Sequence, residues 1–128
     1  MPEDFTIGVE EEFLIVDAET RRLRPQVEPI LSRAQEEVDE EIRSELRRSQ
    51  LESGTAVCQT LGDLRAELVR LRRGLAATAE RSGCRIAAAG THPFSSWDEV
   101  QVTPKAAYVR LEQDYQQLAR EQLVCGCH

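Results

Sequence analysis

The sequence predicts an α+β fold, an antiparallel sheet with helices packed against it. Strand-like and helical stretches interleave along the chain. The strand-like stretches are long and polar-patterned, whereas strands buried on both faces of a doubly wound parallel sheet read as continuous apolar runs. No repeat, low-complexity tract or linker interrupts the 128 residues, so they read as one structural unit.

The first strand is expected from about Phe5 to Val16, across the apolar run TIGVEEEFLIV. Asp17-Ala18-Glu19-Thr20 has turn composition, and an extended return follows through Leu23. Val27 to Glu37 suits a short amphipathic helix, with Pro29 tolerated near its first turn. From Ile42 to Ala56 the pattern is closer to alternation than to helical period, which predicts a second strand, although its Glu and Arg density also permits helix. Leu61, Leu64, Leu68, Leu71 and Leu75 recur at three- and four-residue steps and make one core-packing stripe on a helix. Thr60 is its expected N-cap, Asp63 its capping carboxylate, and Gly83 its stop. Arg85 to Gly90 is short and apolar enough for a buried strand, which Pro93 then ends. A loop around Trp97 leads to Pro104 and a helix from about Ala106 to Arg120, with Tyr108, Leu111, Tyr115 and Leu118 as its buried face. Leu123 to His128 reads as the opening of another strand.

Aromatic residues are only 5% of the chain, so the core must be built from Leu, Val, Ile and Ala. A net charge of −7 argues against nucleic acid or an anionic membrane as the main partner. All 16 Lys and Arg residues are Arg except Lys105, a bias that suits bidentate carboxylate or phosphate pairing and that GC-rich coding explains as well. No apolar run approaches a membrane span and MPEDFT lacks a signal-peptide pattern, so a cytoplasmic location is expected. The four cysteines, Cys58, Cys84, Cys125 and Cys127, then read as reduced thiols, with Cys58 and Cys84 buried. Cys125-Gly126-Cys127-His128 has no second Cys-x-x-Cys pair at zinc spacing and is not taken as a zinc site.

The most informative residues are the consecutive carboxylates Glu10, Glu11 and Glu12. Side chains alternate across a strand, so Glu10 and Glu12 share one face and Glu11 points to the other. Two carboxylates on one half-buried face repel and lose hydration, so a compensating positive charge is expected. A hard divalent cation such as Mg²⁺ prefers this kind of oxygen donor. The structural alternative is an edge strand that displays charge to prevent sheet-to-sheet association.

TIGVEEEFLIVD, RRSQLESGTAVC, RIAAAGTHPF, VTPKAAYVRL and the terminal LVCGCH, in this order and spacing, resemble the N-terminal portion of the carboxylate–amine ligase family. The resemblance is specifically to the type 2 glutamate–cysteine ligases, and it runs along essentially the whole chain. It implies a glutamine synthetase-like fold, with a curved antiparallel sheet whose concave face carries Mg²⁺ and the substrates glutamate, cysteine and ATP. The implied reaction passes through an acyl phosphate, formed when the glutamate γ-carboxylate attacks the γ-phosphate of ATP and captured by the cysteine amine. Metal ions suit such a reaction because they neutralise and align the transferring phosphoryl group.

By the same resemblance, Glu10, Glu12 and Glu52 match metal ligands, and His128 matches a histidine lining the metal and nucleotide side. The alternative for His128 is a frayed terminal residue. Thr91 or His92 matches a loop at the substrate rim, against the alternative of a turn held by Pro93 and Phe94. Glu45 lies seven residues before Glu52. On one regular strand that places it on the opposite face, so it would need a bulge to join the site. Tyr108 is expected in the core.

Members of the family continue through a His-x-His into a much longer C-terminal half, whereas this sequence ends at His128 with Cys127 in place of a larger apolar residue. An incomplete sheet predicts an exposed edge and apolar face, hence self-association or a missing C-terminal half, and makes activity of the chain alone doubtful. Two other readings stand beside the ligase. One is a non-catalytic fragment that binds Mg²⁺ or glutamate; the other is a structural protein pairing helices through the Leu61–Leu75 stripe.

Overall fold

The computed structural model describes residues 5–39 and 41–117. The elements run β1 (Glu10–Asp17), α1 (Val27–Glu37), β2 (Arg43–Ser44), β3 (Gln50–Gly54), α2 (Leu61–Glu80), β4 (Cys84–Ala87) and α3 (Ala106–Asp114), with a 3-10 turn at Trp97–Glu99 before α3. The four strands form one sheet in the order β2-β3-β1-β4. All three pairings are antiparallel, so the expected α+β architecture is the observed one.

Alternation along β1 divides the sheet into two faces. Phe13, Ile15, Leu51 and Cys84 face the helices and are buried with Val27, Ile30 and Ala34 of α1 and Leu75 and Ala79 of α2. Glu11 lies on this side too. It is 7% exposed, and one oxygen takes a hydrogen bond from Arg72 Nε of α2 at 2.8 Å, with Arg72 Nη2 on the other. The other face has a small apolar group of Leu14, Val16, Leu23 and Val100 at one end. At its other end it carries Glu10 and Glu12.

Local chemistry explains the element ends. Asp17 Oδ1 accepts the amides of Thr20 at 2.8 Å and Glu19 at 3.0 Å, closing the turn after β1. These backbone donors hold the Asp17 carboxyl below the usual carboxylate range. Thr60 and Asp63 form the full capping box of α2. At Gly83, φ is +67°, a left-handed conformation that glycine adopts without a Cβ clash. Gly74 is required for a different reason: a Cβ there would come within 2.5 Å of Val38 Cγ1, where the end of α1 crosses α2.

Three expectations need correction. The stretch 42–56 is not one strand but a hairpin, in which β2 turns through residues 45–49 into β3. Leu61 begins the α2 stripe yet is 74% exposed, and burial on the stripe starts only at Leu64. In α3 the expected buried face is largely open: Leu111 is 39% and Tyr115 57% exposed, and no residue of the helix is fully buried. Periodicity identifies the apolar side of a helix without identifying what covers it. Leu118, the remainder of the expected helix and the strand at Leu123–His128 lie outside the described residues, as do Cys125 and Cys127. Cys58 and Cys84 are buried free thiols. Among the described residues, no helix is long and apolar enough to cross a membrane.

Candidate metal centre

Cross-strand pairing assembles the acidic site. Glu12 lies directly opposite Glu52 in the β1–β3 ladder, and Glu52 lies opposite Arg43 in the β2–β3 ladder. The hairpin explains why Glu45 joins them. Counting along a single strand puts residues 45 and 52 on opposite faces, but here the chain reverses. Register pairs Arg43 with Glu52 and Ser44 with Leu51, and the next step aligns Glu45 with Gln50, two residues from Glu52 on the same face. No bulge is needed. Carboxylate oxygens of Glu12, Glu45 and Glu52 all lie within 4.8 Å of one another, and all three residues are half-buried.

Glu10 shares the face but stands outside this trio. With Glu52, Asp39, Glu41 and Arg43 it lines a cleft of about 540 Å³ beside it, floored by Gly8 and Gly54. The electrostatics are those of crowded like charges. Burial, followed by the charges of Glu10, Glu45 and Glu12, pushes the Glu52 carboxyl up, and Arg43 only partly offsets this. Arg43 is itself ion-paired with Glu41.

The tract before α3 closes over Glu45. Thr103 donates its backbone amide to the Leu46 carbonyl at 2.8 Å and its hydroxyl to the Glu45 carbonyl. Lys105 Nζ reaches the Ser44 carbonyl at 3.0 Å and lies 5.2 Å from the centre of the Tyr108 ring. Burial and the neighbouring Glu45 carboxylate push the Tyr108 hydroxyl up to about 12. Tyr108 is therefore half-buried at the edge of the site rather than in the core. A sequence signal existed in the tract VTPKAAY, which contains the chain's sole lysine. Its contact with residues 44–46 depends on tertiary structure.

The residues around 91–95 sit elsewhere. His92 is buried. Its Nδ1 accepts the amides of Ser95 at 2.9 Å and Phe94 at 3.3 Å, which leaves Nε2 to donate to the Arg21 carbonyl at 2.8 Å. Arg21 has φ of +63°, unusual for a non-glycine residue, and His92 holds its carbonyl. Ser95 Oγ accepts the Leu23 amide at 3.3 Å. The loop is thus anchored beyond the C-terminal end of β1, while Glu10 and Glu12 occupy the N-terminal half of that strand. Both ring nitrogens of His92 are committed within the chain, and Thr91 is exposed. His128 lies outside the described residues.

The model of glutamate-cysteine ligase family 2 (GCS2) matches residues 6–128. A Sorangium cellulosum protein named "Putative glutamate--cysteine ligase 2" is 46% identical over 126 residues, covering 97% of this chain and 34% of the relative. Proteins of the same name from Chloroflexus aggregans and Herpetosiphon aurantiacus are 45% and 44% identical over 124 residues, each covering 97% of this chain and 32% of the relative. The chain spans about a third of the length of these curated relatives. With a match that takes in nearly every residue from the first strand onward, the chain belongs to glutamate-cysteine ligase family 2.

Proposed function

We propose that this chain is the N-terminal part of a single ligase catalytic domain, and that it supplies the acidic, cation-holding face of an ATP-dependent glutamate–cysteine ligase. The observation that carries the reading is the convergence of Glu12, Glu45 and Glu52 on the open face of the sheet. The donor set fits Mg²⁺, a hard cation held by carboxylate oxygens and phosphates. Glu12, Glu45 and Glu52 would hold it, with Glu10 close by in the adjoining cleft. Mg²⁺, when bound, supplies charge neutralisation for the ATP phosphates.

In this reading the glutamate γ-carboxylate attacks the γ-phosphorus of ATP, releasing ADP. The cysteine amine then displaces phosphate from the resulting acyl phosphate. The chain's own contribution is to fix negative charge at one end of a cleft and to provide no nucleophile. Thr91, exposed on the loop that His92 anchors, is proposed to contact substrate. His128 is proposed as a further cation ligand on its match to the family motif.

The test is Mg²⁺-dependent ADP release from ATP in the presence of glutamate and cysteine. It is measured on the chain alone and on the chain supplemented with the remaining two-thirds of a relative. Release that needs both amino acids and disappears in Glu12→Gln is expected in at least one preparation. Absence of release in both, or release indifferent to Glu12, would overturn the proposal. Mg²⁺ binding without any release would instead favour a non-catalytic cation-binding fragment.

A further inference from the structure

The proposed cation trio has an unequal construction. Glu12 and Glu52 are cross-strand partners in the middle of the sheet, where ladder hydrogen bonds fix their backbones. Glu45 is tied to β3 more loosely, by a single long hydrogen bond from its amide to the Gln50 carbonyl at 3.3 Å. It follows the last residue of the two-residue strand β2 and opens the turn into β3, a place where backbone position is weakly determined. Its carboxylate even reaches its own chain, accepting the Leu46 amide at 2.9 Å.

A separate segment adds a second set of ties. Three consecutive carbonyls, those of Ser44, Glu45 and Leu46, are each bound by a group from residues 103–105: Lys105 Nζ, the Thr103 hydroxyl and the Thr103 amide. The same tract continues this pairing at Arg48, whose amide donates to the Gln101 carbonyl at 3.1 Å. Tyr108, one turn into α3, is half-buried beside the Glu45 side chain.

Resting on the cation site proposed above, we infer that Thr103 and Lys105, with Tyr108, are positioning residues: they clamp the turn at Glu45 so that its carboxylate meets Glu12 and Glu52. The clamp acts through the backbone of a ligand residue, which makes it an outer support of the metal site. Lys105 is an informative member because its two conceivable influences have opposite signs. As a cation bound to the Ser44 carbonyl, next to Glu45 in the chain, it opposes binding of another cation, and removing its charge alone would tighten metal binding. As a clamp it favours binding, and its removal would weaken it.

The experiment is Mn²⁺ binding, followed by the loss of free-ion electron paramagnetic resonance signal, on the whole chain. Wild type is compared with Lys105→Met, Lys105→Arg, Thr103→Val, Thr103→Ser and Glu12→Gln, each checked for folding by circular dichroism. Mn²⁺ stands for Mg²⁺ as an oxygen-seeking divalent ion. Lys105→Met and Thr103→Val are expected to weaken binding about tenfold, near the low end for loss of an outer support. Lys105→Arg and Thr103→Ser, which keep a donor, should restore most of it.

Tighter or unchanged binding in folded Lys105→Met and Thr103→Val would overturn the clamp while leaving the cation site standing. If those two variants do not fold, Lys105→Ala and Thr103→Ala take their place: weaker binding in a folded one supports the clamp, and wild-type affinity in both overturns it. Wild type that binds no Mn²⁺, or Glu12→Gln that binds normally, would overturn the cation site and the clamp with it.

Discussion

The two faces of one sheet, supplied by alternate residues of the same strands, have opposite ways of handling carboxylates. On the helix-covered face Glu11 is nearly buried and meets Arg72 through two hydrogen bonds, so its charge is neutralised where it lies. On the open face Glu12, Glu45 and Glu52 meet one another. Three adjacent glutamates in β1 therefore divide between fold and site by parity alone. Crowding like charges on the second face lowers stability there, and a bound cation would relieve that repulsion.

The comparison is broken most severely from the covered side. Phe13→Ala removes a 2%-exposed ring from the core between the sheet and the two helices, and should cost about 3–5 kcal/mol in urea unfolding. Glu11→Gln loses two charged hydrogen bonds, but Arg72 is half exposed and regains water, so the expected cost is about 1–2 kcal/mol by the same measurement. On the open face the sign reverses. Glu52→Gln removes a repelling charge opposite Glu12 and should stabilise the cation-free chain by up to about 1 kcal/mol, read as an increase in urea midpoint.

The smallest effect is expected from pH. Asp39 accepts hydrogen bonds from Arg70 and from the Glu41 amide, which lower its proton affinity below that of a free carboxylate. A depressed carboxyl contributes stability that is fully present above its unfolded value and is lost as pH falls through its folded one. Asp39→Asn should therefore lower stability near neutrality and flatten the decline on acidification below about pH 4. A thermal-unfolding series between neutral and acid pH checks this.

What was legible in the sequence follows from the range of the interactions involved. The parity of Glu10, Glu11 and Glu12, the capping box at Thr60 and Asp63, and the bounds of α1 are set by neighbours a few residues apart. The hairpin at 45–49 was not legible. Its turn carries no Gly or Pro, and alternation on either side of it reads as one strand. That single omission reversed the facing assigned to Glu45. Tyr108 was misplaced for a related reason: helical period showed an apolar side, while the contact with Glu45 comes from 63 residues earlier in the chain. For His92 the residue type suggested chemistry, and the geometry gives it two backbone amides and a carbonyl to hold.

The central claim is that adjacent glutamates of β1 have separate work, Glu11 in holding the fold and Glu12 in holding a cation. Calorimetric Mg²⁺ titration of wild type, Glu11→Gln and Glu12→Gln, with urea midpoints measured on the same samples, tests it most directly. The account predicts that Glu12→Gln loses Mg²⁺ affinity and keeps or gains stability, whereas Glu11→Gln loses stability and keeps its affinity. Equal Mg²⁺ binding by wild type and Glu12→Gln, or a loss of binding confined to Glu11→Gln, would contradict it.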